Sequence, residues 1–189
     1  ISKKDQSVAD KRLNSIIRIK HQRNYIMEVL NQFSSEDFII HSDNDEIPNL
    51  DNFDLLNSKN KFVIFKQKIF YYKLNLLLPS LNWYGSKACK LKDIKDIDNL
   101  RAIKNKKYPF YRFDTLFSEL KHQSLEIVNE GGGHFSNLKN IDDLEKKYLN
   151  DENHSEYEAQ GFTIERIKNN IKNRVIDYNH EAKKNSNDR

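Results

Sequence analysis

The chain has 189 residues, the length of a single domain, and its 11 phenylalanines and 9 tyrosines provide apolar surface for a packed core despite a mean hydropathy of −0.85. Its 32 basic residues are interspersed with 28 acidic ones, so the net charge of +4 does not call for a nucleic-acid partner. The single cysteine, Cys89, excludes an internal disulfide and a cysteine-based zinc cluster, and it fits a reducing compartment.

The start of the chain predicts one long helix. Over residues 7–33, apolar side chains recur at helical spacing with no Gly or Pro between them. The polar residues Arg23 and Asn24 fall where this period calls for apolar ones. Such a gap is typical either of a helix that runs past the core into solvent or of a polar pocket.

The middle of the chain predicts a sheet. Residues 38–40 are an apolar run expected to form a short buried strand, and Pro48 precedes a predicted short helix over residues 50–56. Residues 62–74 carry Phe, Val, Ile and Tyr in both alternation phases, which predicts a central strand covered on both faces. Residues 81–88 fit a further strand or a loop.

The rest of the chain adds one strand and several helices. We predict a short helix over residues 100–103, a strand over 124–128, and amphipathic helices over 141–148 and 162–176. Residues 183–189 are expected to be a polar tail after a single domain, residues 1–182. Because no stretch approaches the roughly 18 consecutive apolar residues of a membrane helix, we expect no membrane span.

Asp43 and Asp45 follow the predicted strand 38–40 directly. Ligand sites of open α/β sheets lie at the carboxyl ends of strands, so these carboxylates are candidates to hold a divalent cation that bridges phosphate oxygens. The alternative is an ordinary solvated or capping turn, in which Asp and Asn are common.

A run of three glycines precedes His134, after the predicted strand 124–128. The run allows either a close approach of backbone to a ligand or a tight turn that directs His134 inward, although glycine runs are also common in flexible loops. His154, between Glu152 and Glu156, is a second candidate. Either imidazole is able to complete a carboxylate metal site, but a lone histidine is more often structural.

The sequence lacks several other catalytic motifs. It has no P-loop, no dinucleotide-binding fingerprint, no G-x-S-x-G elbow and no H-E-x-x-H pair, and Cys89 has no nucleophile signature around it. These absences disfavour hydrolase triads.

Four blocks, taken together, resemble glycosyltransferase family 17. They are H-Q-R-N at residues 21–24, S-D-N-D-E-I-P at 42–48, G-G-H-F-S at 132–136 and N-H-S-E at 153–156. The resemblance covers residues 18–176, and the second block is the most specific. This family includes the β-1,4-N-acetylglucosaminyltransferases that add the bisecting residue to N-glycans, with many microbial and viral relatives.

The resemblance implies an α/β, GT-A-like (Rossmann-like) fold with a mixed central sheet flanked by helices. It implies an enzyme that transfers N-acetylglucosamine or a related hexose, with inversion, from a UDP-linked nucleotide sugar to a glycan or polysaccharide acceptor. Asp43 and Asp45 would be the metal-binding D-x-D for Mn²⁺ or Mg²⁺, which neutralises charge on the leaving diphosphate.

The same resemblance assigns roles to other residues. Donor-binding candidates are Arg23, Asn24, Asp43 and Asn44, and the histidine ligand is His134, with His154 as the second choice. An inverting transferase needs a carboxylate that takes the proton of the acceptor hydroxyl. We expect this base to be Glu130, at the end of a strand, with Glu46 as the second candidate because Glu46 also suits a role in bracing the D-x-D turn.

The chain departs from the family pattern at two points. The family usually carries a further segment before the long helix, with the first strands and much of the nucleoside pocket, so the resemblance implies that the N-terminal part is missing here. The family often has a tryptophan beside the histidine, where this chain has Gly133. The expected location is the cytoplasm for a microbial or viral protein, or the Golgi lumen if a preceding segment carries an anchor.

Two other functions compete with a glycosyltransferase. An Asp-x-Asp at a strand end also serves Mg²⁺-dependent phosphotransferases and phosphatases, although in the haloacid dehalogenase pattern small residues follow the second Asp, and here Glu46 follows. A non-catalytic module that binds RNA or acidic surfaces is the weakest alternative, because the basic residues form no stripe.

Overall fold

The computed structural model describes residues 7–51, 53–150 and 163–176. The chain divides into two compact units, Ile1–Ser136 and Asn137–Arg189. The single domain over residues 1–182 stays a prediction, and the tail 183–189 lies outside the described residues. Within the described ranges, no helix combines the length and apolar composition needed to cross a membrane.

A mixed sheet forms the centre of the first unit, and in the described residues it has six strands. The strands are β1 (Phe38–His41), β2 (Glu46–Pro48), β3 (Phe62–Tyr71), β4 (Leu77–Lys90), β5 (Leu125–Val128) and β6 (Gly132–Ser136). Their order is β1-β4-β3-β6-β2, and β5 also pairs with β3. Strand β3 is antiparallel to β4 and parallel to both β5 and β6. The predicted mixed sheet and the central position of β3 are confirmed.

Strand β3 is central because its first four residues bury apolar side chains on both faces. Phe62 and Ile64 pack with Leu100 of a neighbouring helix in one cluster, whereas Val63 and Phe65 pack with residues of β4 and β5 in another. Side chains alternate along a strand, so we call these two sides the Ile64 face and the Phe65 face. Each fully buried side chain of this size contributes about 1.5–3 kcal/mol.

The predicted long helix over residues 7–33 is wrong in two respects. It consists of α1 (Val8–Asn24) and a single turn, α2 (Met27–Leu30), separated by Tyr25 and Ile26. Its apolar side chains do not form a buried stripe, because Leu13, Ile16, Ile17, Ile26 and Phe33 are exposed. The helix begins where the Ser7 hydroxyl accepts a hydrogen bond from the Asp10 backbone N–H.

A short helix, α3 (Ile97–Ala102), follows β4 and contacts both α1 and β4. The Asp96 side chain caps its first turn by accepting from the Asn99 backbone N–H at 2.7 Å. Leu100 enters the cluster on the Ile64 face, so α3 covers that face of the sheet. The predicted helix near residues 100–103 is confirmed, with earlier bounds.

Three further predictions need correction. The strand at residues 38–40 is not buried but lies at the sheet edge, where β1 pairs with β4 and Ile40 is exposed. The described residues of the range 50–56 form irregular chain with isolated turns rather than a helix. The glycine run enters β6, because Gly132 and Gly133 pair with β2 and Gly133 also pairs with β3.

In the described residues of the second unit, 137–150 and 163–176, two helices contact each other. They are α4 (Ile141–Asn150) and α5 (Ile164–Asn173), and both confirm amphipathic helices predicted from the sequence. Leu144 and Tyr148 of α4 and Ile167 of α5 are buried. Helix α5 is shorter than predicted because Arg174 adopts a left-handed conformation (φ 56°) that ends it.

Candidate functional site

The connection between β1 and β2 is a tight turn that Glu46 closes twice. The Glu46 backbone N–H donates to the Asp43 carbonyl at 2.9 Å, and the Asp43 backbone N–H donates to Glu46 Oε2 at 3.1 Å. Main chain and side chain of one residue therefore fix the conformation of the D-x-D segment. The directions in which Asp43 and Asp45 project are set by this closure.

Strand β4 supplies the other partners of the Glu46 carboxylate, which is only 5% exposed. The Trp83 indole N–H donates to Glu46 Oε1 at 2.7 Å, and the Ser86 hydroxyl donates to Oε2 at 3.4 Å. Gln67 of β3 in turn donates to the Ser86 hydroxyl at 3.0 Å. A buried carboxylate is tolerated only when hydrogen bonds replace its lost water, and these donors do so.

His134 completes what we call the Glu46 cluster: Glu46, Gln67, Trp83, Ser86 and His134. Its imidazole stacks on the Trp83 indole, with ring centroids 4.4 Å apart and planes 10° from parallel. In the sheet, His134 is paired with Glu46 of β2 and with Ile69 of β3. Because Ile69 and Gln67 are two residues apart in β3, the cluster lies on the Phe65 face.

Gly85 is required by the packing of this cluster. A Cβ atom at this position would overlap the Glu46 carboxylate and the Trp83 indole nitrogen. The register between β3 and β4 shifts at this point, between Ile64 and Lys66, which is the mark of a β-bulge. The bulge and the missing side chain together let Glu46 reach the donors on β4.

The structure brings Asp45 and His134 together although they are far apart in sequence. Phe135 of β6 donates its backbone N–H to the Asp45 carbonyl at 2.7 Å, which holds the turn against β6. His134 Nε2 lies 3.4 Å from Asp45 Oδ2. The other imidazole nitrogen, Nδ1, is buried and has no hydrogen-bond partner among the described residues.

Asp43 has a different environment from Asp45. Arg101 of α3 places Nη1 at 2.8 Å from Asp43 Oδ1, and Arg23 of α1 places Nη2 at 3.6 Å from the same oxygen. Next to this group, burial and then the charge of Arg101 lower the pKa of His41. Two guanidinium groups therefore surround the first carboxylate, whereas an imidazole accompanies the second.

The fit of a divalent ion can be tested against this arrangement. In the described ranges, no group of three or more His, Cys, Asp or Glu side chains is arranged to hold a metal ion. Ions such as Mg²⁺ are commonly held by one or two carboxylates, with substrate phosphates and water as the other ligands. A separation of 3.4 Å suits two ligands that each lie about 2.1 Å from one ion. Asp45 and His134 are therefore close enough to share one ion, whereas the Asp43 carboxylate faces two guanidinium groups.

The other predicted donor-binding residues lie near Asp43 or on its turn. Asn24 accepts from the Asp98 backbone N–H at 3.2 Å and so binds α1 to the start of α3. A cavity of about 480 Å³ lies beside this contact, and its lining includes Asn24, His21 and Lys20. Asn44 is exposed on the turn. The polar residues that interrupt the apolar pattern of the first helix therefore contact other segments and lie near a cavity. This agrees with the polar pocket, one of the two alternatives predicted from the sequence.

The structure does not bring Glu130 to the Glu46 cluster. Glu130 lies in the turn between β5 and β6 with φ 52°, and its carboxylate forms an ion pair with Lys68. Lys68 follows Gln67 in β3, so its side chain projects from the opposite face of the sheet. No contact of Glu130 with Asp45 or His134 thus supports its assignment as the general base. His154, the second histidine candidate, lies outside the described residues.

Sequence reasoning missed four residues of the site: Gln67, Trp83, Ser86 and Arg101. Gln67 carries a recognisable signal, since it is a polar residue on a strand face whose other positions are apolar or aromatic. Trp83 and Ser86 carry none, because their roles depend on how β4 pairs with β3 and on where Glu46 lies.

In comparisons with known proteins, no family model, no curated protein and no solved structure matches the chain. The case for a function therefore rests on the residues and contacts described above.

Proposed function

We propose that the protein is a metal-dependent glycosyltransferase with a GT-A-like fold that uses a nucleotide-sugar donor. The observation that carries the proposal is the pair formed by Asp45 and His134, 3.4 Å apart and held by a buried polar cluster. Two blocks of the family 17 resemblance, residues 42–48 and 132–136, meet in this pair. Hexose or N-acetylglucosamine transfer with inversion, from a UDP-linked donor to a glycan, is the specific form of the proposal.

Asp45 and His134 would hold the divalent ion, Mn²⁺ or Mg²⁺. When bound, such an ion neutralises the charge that develops on a leaving diphosphate. Trp83 fixes the orientation of the His134 ring by stacking on it. The remaining coordination positions are left for the donor and for water, as in sites with only one or two protein ligands.

Arg23 and Arg101 would bind the anionic donor beside this pair. Their side chains are about one third and one quarter exposed, and each pairs with Asp43 through one nitrogen in the structure. A guanidinium group has five N–H donors, so both residues retain donors for phosphate oxygens. Asp43 would then act by holding the two arginines in place.

Glu46 would be a positioning residue rather than the general base. Its oxygens accept hydrogen bonds from Trp83, Ser86 and the Asp43 backbone. A base needs lone pairs that face the acceptor hydroxyl. Because both Glu46 oxygens are occupied, its contribution is to fix the turn that carries Asp45.

Calorimetric titration with UDP and UDP-N-acetylglucosamine, in MnCl₂ and in EDTA, tests the proposal. We expect binding that depends on Mn²⁺ and that Asp45→Asn and His134→Gln each abolish this dependence. Asp51→Asn, which removes the charge of an exposed aspartate outside the site, is the matched control and should bind like the wild type.

Binding that is equal in EDTA would contradict the proposal. If the protein instead ignores nucleotide sugars but hydrolyses p-nitrophenyl phosphate with Mg²⁺, and Asp45→Asn stops the hydrolysis, the phosphotransferase or phosphatase alternative holds.

A further inference from the structure

The segment between α3 and β5 exposes an unusual amount of apolar surface. We call residues 104–121 the aromatic loop. Five large side chains within eight consecutive positions are more than 60% exposed: Phe110 84%, Tyr111 62%, Phe113 71%, Leu116 71% and Phe117 91%. Single exposed apolar residues are ordinary, but a contiguous group of this size marks an interaction surface.

Hydrogen bonds from Gln123 hold the backbone of the aromatic loop in place. Gln123 Nε2 donates to the carbonyls of Phe110 and Arg112, both at 3.3 Å, and to the Thr115 hydroxyl at 2.8 Å. Thr115 is buried, and its hydroxyl donates to the Arg112 carbonyl at 2.6 Å. The exposed rings are therefore presented by an ordered support, which lowers the entropy cost of binding through them.

The aromatic loop is also basic. It contains five basic and two acidic residues, a net charge of +3. The acidic Asp114 is paired with Arg112 and Lys121, and Glu119 is paired with Lys95 outside the loop. In the described part of the chain, the remaining lysines, Lys104, Lys106 and Lys107, form no ion pair with an acidic side chain.

We propose that the aromatic loop docks the protein on an anionic lipid surface. The rings of Phe110 and Phe117, the most exposed of the group, would enter the interface between head groups and acyl chains. The lysines at 104, 106 and 107 would lie against the acidic head groups, where each cation contributes attraction. Such docking involves no membrane span, and it is independent of the proposed transferase activity.

The shape of the loop favours a lipid surface over a peptide or a glycan. A bound helix or sugar is received in a concave groove, where aromatic side chains become partly buried by the walls. Here Phe110 and Phe117 are almost fully exposed, so they project outward. Exposed apolar side chains in a segment that also carries lysines are complementary to the surface of an anionic lipid bilayer.

Co-sedimentation with lipid vesicles tests the proposal directly. We expect the protein to bind vesicles of phosphatidylcholine with about one third phosphatidylglycerol, and to bind pure phosphatidylcholine roughly 10-fold less or weaker. The double variant Phe110→Ser/Phe117→Ser should lose at least about 10-fold in vesicle binding. The triple variant Lys104→Gln/Lys106→Gln/Lys107→Gln should lose binding and its dependence on salt.

The matched control is Leu56→Ser/Leu74→Ser, which removes two leucines that are 77% and 68% exposed elsewhere on the same unit. This control should bind like the wild type. Circular dichroism of all variants should be unchanged, because the substituted side chains make little contact with the core. Absence of binding to anionic vesicles, or equal binding by the phenylalanine variant, overturns the proposal, and so does an equal loss in the leucine control.

Discussion

Glu46 and Glu130 look alike in the sequence, since Glu46 lies within one block that resembles glycosyltransferase family 17 and Glu130 lies just before another. In the structure they have little in common. Glu46 is 5% exposed and accepts hydrogen bonds from two side chains and one backbone N–H, whereas the Glu130 side chain is 68% exposed and paired with Lys68. The comparison teaches that a carboxylate acquires its role from what strand pairing brings to it.

The pairing explains the difference in physical terms. Strand β2 pairs with β6 so that Glu46 lies opposite His134, and the bulge at Gly85 turns Ser86 and Trp83 toward the same point. Glu130 lies in a turn before β6 begins, on the side of Lys68. Four experiments, taken in order of expected effect, sharpen or break this contrast.

Removal of the Glu46 carboxylate should give the largest loss. Glu46→Ala leaves the buried Ser86 donor and the half-buried Trp83 donor without this acceptor, and an unsatisfied buried group costs about 1–3 kcal/mol. We expect the free energy of unfolding to fall by about 2–4 kcal/mol, measured by urea denaturation. A loss below about 0.5 kcal/mol would show that the carboxylate does not stabilise the turn.

Substitution of Gly85 should have the next largest effect. In Gly85→Ala the new Cβ overlaps Glu46 and Trp83, so the hydrogen bond between them must break or the bulge must move. We expect a loss of about 1–3 kcal/mol in the free energy of unfolding and a shift in the emission of Trp83, the single tryptophan. Unchanged emission together with wild-type stability would mean that Glu46 and Trp83 are not packed as described.

Lys87 adds a pH-dependent comparison, because it follows Ser86 but projects to the Ile64 face. It is buried, its Nζ donates to the carbonyls of Arg101 and Ile103, and burial lowers its pKa to about 7. Between pH 7 and its unfolded value of 10.5, the unfolded chain binds a proton that the folded chain lacks. The free energy of unfolding therefore rises with pH across this window and is flat below it.

The control for this effect is Lys87→Met, which keeps the volume and removes the titration. The difference in free energy of unfolding between wild type and variant should change in favour of the wild type by up to about 1.4 kcal/mol per pH unit between pH 8 and 9. A difference that stays constant from pH 6 to about 9 would show that the pKa of Lys87 is not lowered in the folded chain.

Glu130→Gln should have the smallest effect. The side chain is exposed and its ion pair with Lys68 lies on the surface, so stability should change by less than about 0.5 kcal/mol. In an assay of the proposed sugar transfer, the rate of the variant should stay within about 3-fold of the wild type. A loss of about 10²–10⁴-fold would instead restore Glu130 as the general base.

Local patterns predicted much of this fold. The apolar run of β3, buried on both faces, and the amphipathic repeats of α4 and α5 are visible in the sequence because burial selects the side chains at each step of the period. The glycine run was misleading, since glycine has a poor strand propensity and β6 forms only through its pairing with β2 and β3.

The candidate site was predictable in part. Asp43, Asp45 and His134 are visible because a carboxylate turn after a strand and a histidine after glycines are local features. The different environments of Asp43 and Asp45 are not visible in the sequence, because they depend on Arg101, which comes from a helix after β4. Contacts between segments distant in sequence leave no periodic trace.

The central claim is that Asp45 and His134, rather than Asp43 and Asp45, hold a divalent ion. Electron paramagnetic resonance of free Mn²⁺, titrated into the protein with UDP, measures this binding directly. We expect Asp45→Asn and His134→Gln each to weaken Mn²⁺ binding by about 100-fold or more, since loss of a direct ligand exceeds the 10–100-fold cost of losing an outer partner. Asp43→Asn should weaken it by less than about 10-fold. If Asp43→Asn abolishes Mn²⁺ binding while His134→Gln leaves it intact, the assignment is wrong.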